Sequence, residues 1–153
     1  MENDEAPIES FASPKDKLIL VVDDDKNIRY LFETYLVNQG FQVVMATDGL
    51  DATSKLEKKV PDLIVADLMM PGQSGYEFMR SLPGLGAGAT PIFVITGSAL
   101  DFSTVDMIKR EAGVSEFFSK PVKMGHFIAA VHRTLKTKPP STDTQSRGIN
   151  DRL

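Results

Sequence analysis

Three aspartates in a row, Asp23, Asp24 and Asp25, directly follow the apolar run Leu18–Val22. A fourth, Asp67, follows Leu63–Ala66; Thr96 follows Ile92–Ile95; and Lys120 comes shortly after Phe117 and Phe118. Clustered carboxylates repel one another and raise each other's pKa unless a cation neutralises them. Magnesium suits such a set, because it takes oxygen ligands, keeps several waters and needs only one or two protein carboxylates beside phosphate oxygens. A carboxylate can then attack phosphorus and form an acyl phosphate. An ammonium and a hydroxyl nearby would stabilise charge on the phosphoryl oxygens.

That chemistry requires the residues to meet, and the elements between them provide for it. Five short segments rich in β-branched residues read as buried strands: Leu18–Val22, Phe41–Ala46, Leu63–Ala66, Ile92–Ile95 and Glu116–Phe118. Helices fall between them. Ile28, Leu31, Phe32, Tyr35 and Leu36 repeat at the spacing of one helix face, and Gly40 stops that helix. Asp48 caps a second helix towards Leu56, Ser74 a third through Tyr76, Phe78 and Met79, and Asp101 a fourth ending near Gly113. The last runs from Val122 with Phe127, Ile128, Val131 and Leu135 inward. Strands alternating with helices imply an α/β fold with a parallel sheet covered on both faces. Ligand sites in such sheets form at the carboxyl ends of the strands, which is where the candidate residues fall.

Composition narrows the class. At 153 residues the chain fits one domain; without cysteine it has no disulfide or thiolate metal site. The longest purely aliphatic run, Leu18 to Val22, is far too short to span a bilayer. The acidic N-terminus has no apolar signal region, so a cytoplasmic location is expected. Residues 1–16 carry five acids against Lys15 alone, whereas residues 17–137 carry 14 acids and 13 bases. No basic stripe for nucleic acid results. The expected organisation is a disordered acidic tail over 1–16, one domain over 17–137, and a disordered tail or linker stub over 138–153. The glycine-bearing stretch 83–91 reads as a flexible loop; it precedes a strand, so it is no dinucleotide fingerprint.

The motifs Leu18-Ile-Leu-Val-Val-Asp-Asp-Asp25, Asp67-Leu-Met-Met-Pro-Gly72, Ile95-Thr-Gly97 and Phe118-Ser-Lys-Pro121, with the lesser marks Ala46-Thr-Asp-Gly49 and Gly75-Tyr-Glu77, resemble the response-regulator receiver family of two-component signalling. The resemblance covers 17–137. It implies the flavodoxin-like, doubly wound (βα)5 fold with strand order 2-1-3-4-5. It also implies phosphorylation of Asp67 with Mg2+, received from a histidine kinase or histidine phosphotransfer protein. Asp24 would bind the metal, Asp23 would hold a metal-bound water or share the ion, and Asp67 and the backbone carbonyl of Met69 would be further ligands. Lys120 would pair with the phosphoryl group or, before it, with Asp67. Thr96 would turn its hydroxyl onto a phosphoryl oxygen, and Phe117 would be the switch aromatic that moves with it. The last two helices and strand would carry the change to a downstream protein or a homodimer. The chain would be a signalling switch and no turnover enzyme; a methionine at 69 cannot orient water well, so self-dephosphorylation would be slow.

Blander readings stand beside these. Asp25 reads as a helix cap. Thr96 and Lys120 alone would be a strand-end hydrogen bonder and a loop lysine, and Phe117 suits core packing as well as switching. His126 and His132, six apart, share no one-turn face and read as solvated or half-packed. Two other functions remain open. A haloacid-dehalogenase-type Mg2+ phosphatase would use Asp23 and Asp25 as its Asp-x-Asp, but no acid follows Lys120 until Asp143. A pseudo-receiver would bind partners without phosphorylation.

Overall fold

Alternation of inward residues along each strand builds two cores, one on each face of a single sheet. The computed structural model describes residues 10–68, 75–97, 102–111 and 113–140. Its strands are β1 (Leu18–Val22), β2 (Gln42–Ala46), β3 (Leu63–Asp67), β4 (Ile92–Thr96) and β5 (Val114–Ser119), and its helices are α1 (Lys26–Asn38), α2 (Gly49–Lys58), α3 (Gly75–Ser81), α4 (Phe102–Lys109) and α5 (Met124–Leu135). All pairings are parallel, in the order β2-β1-β3-β4-β5, as expected.

Successive side chains of a strand point to opposite faces. Leu20, Val22, Ile64 and Val94 therefore pack under α2, α3 and α4, against Leu56, Phe78 and Ile108. Ile19, Val21, Val65 and Ile95 pack under α1 and α5, against Phe32, Leu36, Phe127 and Val131. Phe127 is fully buried between Phe32, Phe93 and Phe118, with ring centroids 4.8 to 6.0 Å apart. Its truncation to alanine would cost about 3–5 kcal/mol.

Helix starts and stops are set locally. The Asp25 carboxylate accepts the Asn27 N–H and caps α1, and Asp48 accepts the Asp51 N–H and caps α2. Such a cap is worth about 1 kcal/mol. Gly40, with φ of +98°, ends α1, and Gly113, with φ of +92°, turns the chain into β5; both conformations suit glycine. The expected caps Ser74 and Asp101, the side chain of Tyr76, and the residues 1–9 and 141–153 lie outside the described residues.

Of the α1 face read from spacing, Leu31 and Tyr35 are 39 % and 42 % exposed, and the buried stripe narrows to Phe32 and Leu36. Two expectations are corrected. The stretch 83–91 is built rather than loose: Pro83–Leu85 form a 3-10 turn, Gly86 takes φ of +80°, Ala87 is buried, and the Thr90 hydroxyl donates to the Pro61 carbonyl. Residues 10–16, assigned to a tail, lie on the domain. The Ala12 N–H donates to the Lys136 carbonyl, and Pro14–Asp16 form a 3-10 turn whose Lys15 carbonyl accepts the Gln42 side-chain amide.

Candidate functional site

Parallel strands carry Asp23, Asp67, Thr96 and Lys120 to one edge of the sheet. Asp23 extends β1 by one residue, its N–H donating to the Ala46 carbonyl of β2. Asp67 and Thr96 are the last residues of β3 and β4. Lys120 follows β5 and is tied to its neighbour by its N–H, which donates to the Thr96 carbonyl at 2.8 Å.

The side chains then converge. Lys120 Nζ lies 3.0 Å from Asp67 Oδ2 and 3.1 Å from Asp23 Oδ2. Both carboxylates are buried, while Asp24 beside them is exposed. One oxygen each from Asp23, Asp24 and Asp67 lies within 4.8 Å of the others. Asp23 is further fixed by the Asp25 N–H on Oδ1, and Arg29 of α1 donates through Nη1 to the Asp23 carbonyl, both at 2.8 Å.

Burial, with the adjoining Asp67 charge adding to it, pushes the Asp23 carboxyl above its ordinary range. The Asp25 N–H and Lys120 pull the other way without prevailing. For Lys120, burial alone would lower the pKa, but hydrogen bonds and charge from Asp67 and Asp23 outweigh it and raise the value. The ammonium is therefore charged and locked between two acids. Removing it would leave buried carboxylates facing each other, which costs about 3–5 kcal/mol where no other cation replaces it.

Thr96 is buried, and its hydroxyl has no hydrogen-bond partner among the described residues. Leaving a buried hydroxyl unpaired costs about 1–3 kcal/mol. The donor set is thus oxygen-rich, negatively charged, partly open at Asp24, and bordered by an ammonium and an unused hydroxyl. These features fit a hard divalent cation with a phosphoryl group.

Of the residues read from the sequence, Asp23, Asp24, Asp67 and Lys120 meet directly, and Thr96 lies at the same edge. Asp25 does not join them; it caps α1. The Asp-x-Asp pair of the phosphatase alternative is thereby broken. Met69 lies outside the described residues. Phe117 sits on β5 opposite Val94, half-buried against the core beneath α2 to α4, with Lys109 Nζ 5.4 Å from its ring centroid. Arg29 is the site residue the sequence did not reveal: it grips a backbone carbonyl, which no side-chain motif marks.

A family model described as the response regulator receiver domain matches residues 19–132. The chain belongs to that family. This receiver is 30% identical over 131 residues to the regulatory protein VirG of Agrobacterium tumefaciens, covering 86% of this chain and 48% of VirG. Against the response regulator MprA of Mycobacterium tuberculosis it is 33% identical over 131 residues, covering 86% and 56%. The chain thus spans about half the length of these curated relatives. Among solved structures, a response regulator receiver protein from Pseudomonas putida is 30% identical with a TM-score of 0.70, over 80% of this chain and 98% of that one. The receiver domain of a sensor histidine kinase from Pseudomonas aeruginosa, with magnesium coordinated in its active-site cleft, is 25% identical with a TM-score of 0.69, over 79% and 98%. Among the described residues, no helix of this receiver is long and apolar enough to cross a membrane.

Proposed function

We propose that this receiver is a signalling switch phosphorylated on Asp67. The observation that carries the reading is the buried Asp67 carboxylate held 3.0 Å from Lys120, beside Asp23 and the Thr96 hydroxyl, which has no partner among the described residues. The donor is a phosphohistidine on a histidine kinase or histidine phosphotransfer protein. An Asp67 oxygen attacks phosphorus, the phosphorus–nitrogen bond breaks, and the imidazole leaves as the neutral ring after taking up a proton.

Asp23, Asp24 and Asp67, with the backbone carbonyl of Met69, would hold Mg2+. When bound, the ion neutralises the acidic cluster and stabilises charge on the phosphoryl oxygens. Lys120 exchanges its bond to the Asp67 carboxylate for one to a phosphoryl oxygen. The Thr96 hydroxyl gains its missing partner by donating to another, and Phe117 follows it inward. The face of α4, β5 and α5 then changes its affinity for a downstream protein or a second copy. The setting is the cytoplasm, and dephosphorylation is slow because the Met69 side chain cannot position water.

The test is intact mass after incubation with acetyl phosphate and magnesium. A single phosphoryl adduct that disappears without magnesium and in Asp67→Asn is expected. An unmodified wild-type chain would sink the reading in favour of a pseudo-receiver. An adduct retained by Asp67→Asn but lost in Asp23→Asn would return the case to a phosphatase.

A further inference from the structure

We propose that β2 is an open pairing edge, and that two copies of the chain join there, antiparallel about a two-fold axis through Val44, into one continuous sheet. The sheet has two edges, and they differ. β5 carries Glu116, which pairs with Arg133 of α5 at 3.5 Å, and its register against β4 shifts between Ile92 and Phe93. Charges and irregularities of this kind discourage edge pairing. β2 reads Gln-Val-Val-Met-Ala, without charge, proline or register shift, and pairs with β1 along its whole length.

The hydrogen-bond phase shows what that edge offers. The Gln42 N–H donates to the Lys17 carbonyl, and the Ala46 carbonyl accepts the Asp23 N–H. Alternate residues of a strand point their backbone groups to opposite sides, so Gln42, Val44 and Ala46 serve β1 while Val43 and Met45 present N–H and C=O outward. An antiparallel copy centred on Val44 sets Val43 against the second copy's Met45, and Met45 against its Val43, as hydrogen-bonded pairs. Every outward group of the strand is then used, and none is left over.

Charge decides the orientation. The start of α2, which follows β2, carries Asp48 at the N-cap and Asp51 in the first turn; the Asp51 carboxylate accepts the Thr47 N–H close to the end of β2. The other end carries Lys58 and Lys59, which with Lys55, itself paired with Asp51 at 3.0 Å, rim a cleft whose apolar floor is Leu18, Leu20 and Val44. The two-fold brings the acidic end of one α2 to the lysine end of the other and sets the second Val44 beside the first, so that the apolar floor continues into the second copy. A parallel arrangement would bring like charges together. On the opposite face of the sheet, the exposed Tyr30, Leu31, Thr34 and Tyr35 of α1 are uncharged and raise no repulsion between copies.

Sedimentation velocity of the unphosphorylated full chain, from low micromolar to several hundred micromolar, reads the association. A rise towards twice the monomer mass is expected. Met45→Pro removes one outward N–H, leaves the β1 ladder intact and is expected to stay monomeric. Lys58→Glu with Lys59→Glu leaves the strand untouched and is expected to weaken association about tenfold. In amide exchange, Val43 and Met45 alone in β2 are expected to slow as concentration rises. A wild type monomeric throughout, or a dimer in which Val43 and Met45 exchange freely, overturns the proposal.

Discussion

A buried hydroxyl without a partner is a cost that Thr96 carries in this receiver among the described residues. The threonine-to-valine change keeps the shape and removes the polar group. Thr96→Val is therefore expected to leave stability to urea unchanged or to raise it by about 1 kcal/mol. The same variant is expected to accept phosphate on Asp67 yet to lose the phosphorylation-dependent shift in the Phe117 ring resonances. Valine that destabilised the domain by more than about 1 kcal/mol would show that the hydroxyl already serves the unmodified fold. The carboxylates give a second residue-level prediction. Asp23, Asp24 and Asp67 repel, so magnesium at ten to a hundred times its dissociation constant should raise the unfolding free energy by about 1.4–2.7 kcal/mol. Asp24→Asn is expected to abolish most of that gain while costing little without the ion, since Asp24 is exposed. A melting curve of Asp24→Asn that still responded fully to magnesium would remove Asp24 from the site.

Elements decide what the sequence could and could not disclose. Each strand is a short apolar run followed by a residue able to do chemistry, so β1, β3 and β4 and the acidic edge were legible. The core strand of β5 was expected over Glu116–Phe118 and runs from Val114 to Ser119, because its outer residues are polar or only half-buried. Periodicity puts Leu31 and Tyr35 on one face with Phe32 and Leu36, but repeat spacing states a direction and not the width of the buried stripe. His132 was harder still. Its ring is buried on α5, with Nε2 2.8 Å from the Gln39 side-chain oxygen, Nδ1 2.7 Å from the Thr137 hydroxyl, and the Phe41 ring packed beside it. Two of those contacts come from the α1–β2 connection, distant in sequence. Burial lowers its pKa below the ordinary value, with the Thr137 contact opposing in part. The unfolded chain thus binds a proton at a higher pH than the folded one. The associated stability is fully present above the unfolded pKa of about 6.5 and is lost as pH falls through the folded value. Urea midpoints of wild type should therefore drop on acidification below about 6.5, and His132→Gln should flatten that segment of the profile. An unchanged slope in the variant would assign the acid sensitivity elsewhere.

At the scale of the molecule, chemistry and closure occupy opposite poles of one sheet. The carboxyl ends of the strands hold the acidic edge. The amino end of β1 is preceded by a strap in which Ala12 bridges Thr137 in parallel, Lys138 Nζ lies 5.5 Å from the Phe11 ring centroid, and Pro14 packs where a side chain at Gly40 would stand. This strap ties the entry of β1 to the exit of α5 and to the α1–β2 turn, so it constrains both ends of the domain at once. Its hydrogen bonds, Ala12 to Lys136 and Gln42 to Lys15, are worth about 0.5–1.5 kcal/mol each. Truncation to begin at Lys17 is accordingly expected to cost about 1–3 kcal/mol in urea unfolding. The distance between the poles makes the second half of the prediction sharper. Asp67, Lys120 and Thr96 are held by β3, β4 and β5, none of which the strap hydrogen-bonds, so the truncated chain should take up phosphate from acetyl phosphate as wild type does while it remains folded. A truncation that preserved stability would reduce the strap to a surface contact. One that kept the fold but lost the adduct would mean that the two poles communicate through the sheet.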